Sequence, residues 1–90
     1  TILTDEQWDE FRNMFEQVHR GFLTRLKQKM PDLTPAEIRF VVLSKLNLSP
    51  KDMAHVLGVG PSAIRKYRYR LRNKLHLPED GSIDEVIAMI

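Results

Sequence analysis

Ninety residues with a formal net charge of +2 and no cysteine amount to one small domain, and exclude disulfide staples and thiolate metal sites. No apolar run approaches the roughly 18 residues needed to span a bilayer. No secretory signal stands at the start, so a cytoplasmic location and no membrane contact by this stretch are expected. The chain begins at Thr1 rather than Met, which points to a piece of a longer protein whose other parts hold any sensor or membrane tether.

All the apolar periodicity is helical. Trp8, Phe11, Phe15, Val18, Phe22 and Leu26 recur at threes and fours, which predicts one long amino-terminal helix with a single apolar stripe. Thr4 and Gln7 can form a capping box at its start. Gly21 lies inside the pattern and weakens it, and Pro31 ends it. The alternation of threes and fours also suits a dimerising coiled coil, but an aromatic-rich stripe fits intramolecular packing better.

Thr34-Pro35-Ala36-Glu37 is a strong helix start, with a cap, a proline at the first position and an acid to close the box. Ile38, Val41, Val42 and Leu46 are the expected inward stripe. Phe40 falls off it, which suggests a second covered surface under the aromatic first helix. Ser49-Pro50 opens a short helix with Met53, Ala54 and Leu57 inward, and Gly58 suits the left-handed residue past its end. Pro61 opens a fourth pattern, Ile64, Tyr67, Leu71 and Leu75, stopped by Leu77-Pro78. Ser82 to Glu85 reads as a further capping box, before Ile83, Val86, Ile87 and Ile90. No strand pattern appears. The fold class expected is all-α, a bundle of four helices over residues 33–90 with an extra amino-terminal helix over residues 1–32.

Charge is segregated along this frame. Up to Val18 the acids Asp5, Glu6, Asp9, Glu10 and Glu16 face one base, Arg12. Over 65–74 stand Arg65, Lys66, Arg68, Arg70, Arg72 and Lys74, with no acid. A concentrated basic helix without compensating acids is what a polyanion partner requires. Ser49 to Leu75 reads as a short helix, a glycine turn with Val59 beneath it, and a longer basic helix. That is the helix-turn-helix arrangement, whose second helix enters the major groove of double-stranded DNA. Turning Ile64, Tyr67, Leu71 and Leu75 inward sends Ser62, Arg65, Lys66, Tyr69, Arg72 and Asn73 outward, flanked by Arg68 and Arg70. An outward arginine suits a guanine edge. Tyr69 suits a sugar or a thymine methyl. Arg68, Arg72, Lys74, Lys51 and the helix starts at Ser49 and Ser62 suit phosphates.

From Leu33 to about Leu77 the chain resembles the LuxR/GerE-type helix-turn-helix of bacterial transcription regulators. The resemblance is carried by Leu33-Thr34-Pro35-Ala36-Glu37, Leu48-Ser49-Pro50-Lys51-Asp52-Met53-Ala54, Leu57-Gly58-Val59-Gly60-Pro61-Ser62-Ala63-Ile64 and Arg70-Leu71-Arg72-Asn73-Lys74-Leu75. It covers about half the chain without a gap. It implies sequence-specific DNA binding in transcription control, with Arg65, Lys66 and Tyr69 as base readers. It also places Ile83, Val86, Ile87 and Ile90 at a homodimer seam, for which core packing alone is an equal reading. Gly60 and Ala63 stand where the family has hydroxyl residues, and Lys66 and Tyr67 where valine and histidine are usual. The amino-terminal helix lies outside the family module and resembles the linker preceding such domains in larger membrane-tethered or repeat-containing regulators.

Two rival readings stay open. One is region four of a bacterial sigma factor, which reads promoters with the same motif and binds RNA polymerase. The other is a protein-interaction module whose basic helix docks an acidic partner. His19, His55 and His76 lack ligand spacing, and the acid pairs Asp9-Glu10 and Glu79-Asp80 lie where solvent takes them. No metal, cofactor or catalytic residue is expected.

Overall fold

A computed structural model describes residues 3–90, and among these every regular element is a helix. The order is α1 (Asp5–Val18), α2 (Phe22–Lys29), α3 (Pro35–Lys45), α4 (Pro50–Leu57), α5 (Pro61–Lys74) and α6 (Ile83–Met89). No described helix is long and apolar enough to cross a membrane.

The starts follow local chemistry. Thr4 with Gln7, and Thr34 with Glu37, each close a reciprocal capping box. Ser49 accepts from the Asp52 amide at 3.1 Å and Ser82 from the Glu85 amide at 3.2 Å, so at α6 the hydroxyl half of the expected box forms. Two helix ends use left-handed residues that are not glycine. Asn47 (φ 63°) follows α3 and His76 (φ 52°) follows α5. The amides of Leu48 and Leu77 then donate back to the Leu43 and Arg72 carbonyls, which satisfies the last turns in the Schellman manner.

The expected single amino-terminal helix is two. The chain breaks after Val18, and Gly21 takes φ 77° as the N-cap residue of α2. Glycine offers no side-chain acceptor there. The Glu16 carboxylate supplies one instead, accepting from the amides of Gly21 (3.2 Å) and Leu23 (3.1 Å). The bend lets Phe22 meet Phe15 edge-on, with centroids 5.3 Å apart, so the aromatic set closes on itself. Val18 is correspondingly 77% exposed instead of inward.

Helix α3 is the centre of the bundle. Phe40, Val41, Val42 and Leu43 are consecutive and all buried, which a one-sided surface helix cannot achieve. It packs on α4, α5 and α6. Phe40 does cover a second surface, but its ring meets Tyr67 of α5 at 5.7 Å. Trp8 of α1 stacks instead beneath the Arg39 guanidinium, 5.0 Å away. Leu46, expected inward, is the exposed C-cap of α3. The core closes with Met53 and Ala54 of α4, Ile64 and Leu71 of α5, and Ile83 and Ile87 of α6.

Candidate nucleic-acid interface

The α4–α5 unit is built as a tight corner. Gly58 ends α4 at φ 70°. The Val59 amide donates to the Ala54 carbonyl at 3.0 Å, and Val59 is half-buried beneath the junction. Gly60 is the N-cap residue of α5 and offers no side-chain acceptor; its carbonyl accepts from the Ala63 amide at 3.1 Å and Pro61 has no N–H, which leaves the Ser62 amide in the first turn. Lys51 is exposed in the first turn of α4.

Along α5 the basic residues divide into two groups. Ser62, Arg65, Lys66, Tyr69, Arg70 and Asn73 are exposed, Tyr69 to 67%. None of the six side chains makes a hydrogen bond or ion pair among the described residues. They form a basic face of α5 bearing amide, hydroxyl and phenol groups and no acid of that helix.

The second group is committed inside the molecule. Arg68 lies 5.9 Å from the Phe40 ring and pairs with Asp84 of α6 at 3.3 Å. Arg72 donates to the carbonyls of Pro78 (2.8 Å), Glu79 (3.1 Å) and Gly81, clamping the turn that leads into α6. Lys74 donates to the Asp32 carbonyl at 2.9 Å and to Glu37 Oε1 at 2.8 Å. Three of the expected phosphate partners are therefore already held by other groups. At about 100° per residue Arg68 and Arg72 sit within about 90° of the buried stripe, and Lys74 lies at a similar angle on its other side. A helical wheel carries that signal. It also places Arg70 and Asn73, left outside the expected contact set, on the outward side.

The Lys74–Glu37 pair is the main electrostatic event. Glu37 is 1% exposed. Burial raises its carboxyl pKa, but the Lys74 hydrogen bond, the Thr34 contacts and the Lys74 charge outweigh that and hold it below the ordinary value. The residue that caps α3 thus also ties the end of α5 to the start of α3.

At the expected dimer seam, Ile83 and Ile87 are 3% and 2% exposed within the single chain. Both are spent on the core that α6 shares with α3 and α5, and a side chain so enclosed has little surface left for a second copy. Val86 and Ile90 are half-buried. Lys45 and Arg25 bind the Ala88 and Ile90 carbonyls at 3.0 and 2.7 Å, which anchors the end of α6 to the bundle.

Comparison with protein-family models, with curated proteins and with solved structures gave no match to this chain. The resemblance to LuxR/GerE-type domains rests on the residues quoted for it.

Proposed function

We propose that this chain is a DNA-binding domain of a bacterial transcription regulator, of the LuxR/GerE-like kind, with α5 lying in the major groove. The observation that carries the reading is the division of cations on α5. Arg65, Lys66 and Arg70 stay exposed and unpaired beside Tyr69 and Asn73, while the bases near the buried stripe bind the protein itself. A helix that kept its cations for solubility alone would be expected to intersperse acids, and α5 has none from Pro61 to Lys74.

In this reading Arg65 and Lys66 reach guanine edges, where a bidentate arginine discriminates by about 1–3 kcal/mol. Asn73 and Tyr69 border the same groove. Arg70, Lys51 and the Ser62 amide at the start of α5 take phosphates. Arg68, Arg72 and Lys74 are assigned to holding α5 in place.

The test is selection of bound sequences from a pool of random duplexes near physiological salt. An enriched motif supports the reading, and a palindromic one adds a two-fold dimer with half-sites about one helical turn apart. With two to four phosphates neutralised per chain, log affinity should fall against log salt with a slope of about −2 to −4. Retention without salt dependence, or no retention, overturns it in favour of an acidic protein partner.

A further inference from the structure

Two adjoining cavities lie on the side of α3 away from α5. Ile38 and Val42 are roughly opposite Phe40 on the helix, and Phe40 is the residue that meets Tyr67 of α5. One cavity, of about 300 Å³, sits between α1 and α3 under Trp8 and Phe11. The other, of about 390 Å³, opens toward α2 between Leu26, Met30 and Leu33. Arg12, Leu23 and Ile38 line both, so the two are lobes of one trough.

The lining has an unusual chemistry. Apart from apolar side chains it contains Arg12 and Arg39 in the first lobe, and Arg12 and Lys27 in the second. No acid contributes, and the one uncharged polar group among the side chains is the Trp8 indole N–H, itself a donor. An apolar concavity whose polar side-chain groups are all donors, and mostly cations, matches a ligand with an apolar body and a single anionic head. Each lobe is at the small end of the range for small-molecule sites.

Arg12 is the group best placed for the head, because it stands where the lobes join. Its present partner is Asp9, 3.0 Å away, and both side chains are largely exposed, at 59% and 70%. Such a pair contributes little, so exchanging Asp9 for a ligand carboxylate is cheap. Arg39 is held over Trp8 and paired with Asp5 at 3.0 Å. It lends charge to the wall while staying in place.

We propose that this trough binds a small amphipathic carboxylate, an apolar body of about eight to ten carbons whose head pairs with Arg12. The size and concavity of the lobes favour such a ligand over an acidic amphipathic helix. The proposal does not depend on DNA binding, since it uses the opposite face of α3.

The experiment titrates the isolated chain, without DNA, with octanoate, octan-1-ol and octylammonium. Amide chemical shifts and thermal unfolding report binding. Octanoate is expected to saturate one site in the low-millimolar range or tighter, as about ten heavy atoms permit. Shifts should centre on Leu23, Leu26 and Ile38. Octan-1-ol should bind about fivefold more weakly, the upper end for a part-exposed ion pair, and octylammonium more weakly still. Arg12→Met should bring octanoate down to the level of octan-1-ol while leaving unfolding of the free chain unchanged. Absence of saturation, equal affinity for octanoate and octan-1-ol, or shifts centred on Arg65 to Asn73 would each overturn the proposal. So would an acidic amphipathic peptide that occupies the trough where octanoate does not.

Discussion

Replacing Lys74 by methionine removes an ammonium and keeps most of its stem. Glu37 Oε1 accepts from Lys74 Nζ and from the Thr34 amide, each at 2.8 Å, while Oε2 is buried without a partner. After the substitution the carboxylate stays enclosed with the Thr34 amide as its remaining donor. Breaking a buried pair from one side costs about 3–5 kcal/mol. The Lys74 side chain is 27% exposed, so water recovers part of that, and about 2–4 kcal/mol is expected. For a domain of this size the unfolding midpoint should drop by on the order of 10–25 °C.

The pH dependence is the sharper reading of the same experiment. In the native chain the folded Glu37 pKa lies below its ordinary value of 4.5. The stabilisation from the pair is therefore complete above pH 4.5 and is lost as pH falls through the folded value. Without Lys74, its hydrogen bond and charge no longer oppose burial, and the folded pKa moves up from its native value. Acidification then costs the variant less than the native chain, and the deficit of Lys74→Met shrinks from pH 7 toward pH 4. Adding Glu37→Gln should recover part of the loss at pH 7. Urea unfolding at the two pH values measures all of this. A loss under about 0.5 kcal/mol at pH 7, or a deficit that does not change with pH, would refute the structural role given to Lys74.

Four further outcomes follow from the geometry. Gly21→Ala places a side chain at φ 77° with its Cβ 2.7 Å from Arg25 Nη1, and should cost about 1–2 kcal/mol by urea unfolding because the left-handed conformation penalises Cβ. His76→Gly relieves the same penalty at φ 52°. Part of that gain is offset by the looser unfolded chain, so a net stabilisation of about 0.5 kcal/mol is expected by calorimetry, and a net loss would count against it. Arg65→Ala should leave unfolding unchanged and relax preference at one base position by about 1–3 kcal/mol in competition binding. Arg72→Ala, which strips donors from the turn carbonyls, should instead lower stability by about 1–3 kcal/mol.

Much of this fold is legible in local chemistry. The caps at Thr4, Thr34, Ser49 and Ser82, the prolines at the starts of α3, α4 and α5, and the left-handed Gly58 act within a few residues, so sequence alone marks these boundaries. The buried set of α5 is equally local, because a 3.6-residue repeat admits one inward stripe for Ile64 and Leu71. The gathering of cations over Arg65 to Lys74 needs no structure to see.

What each cation does could be decided only by tertiary contacts. Arg72, Arg68 and Lys74 match Arg65 and Lys66 in residue type, yet their partners lie 6 to 42 residues away. A helical wheel sets these three nearer the buried stripe, but the carbonyls of Pro78, Glu79 and Gly81 that receive Arg72 leave no periodic trace. The break at Gly21 was hidden for a related reason. Its cap is Glu16, upstream in the preceding helix, and the apolar spacing from Phe15 to Phe22 is the same whether the chain runs straight or bends. The enclosure of Ile83 and Ile87 likewise depends on α3 lying against α6. Short-range hydrogen bonding and periodicity set the elements of this protein. Long-range burial, which pairs groups by position in space, decided which of its charges remain available to a partner.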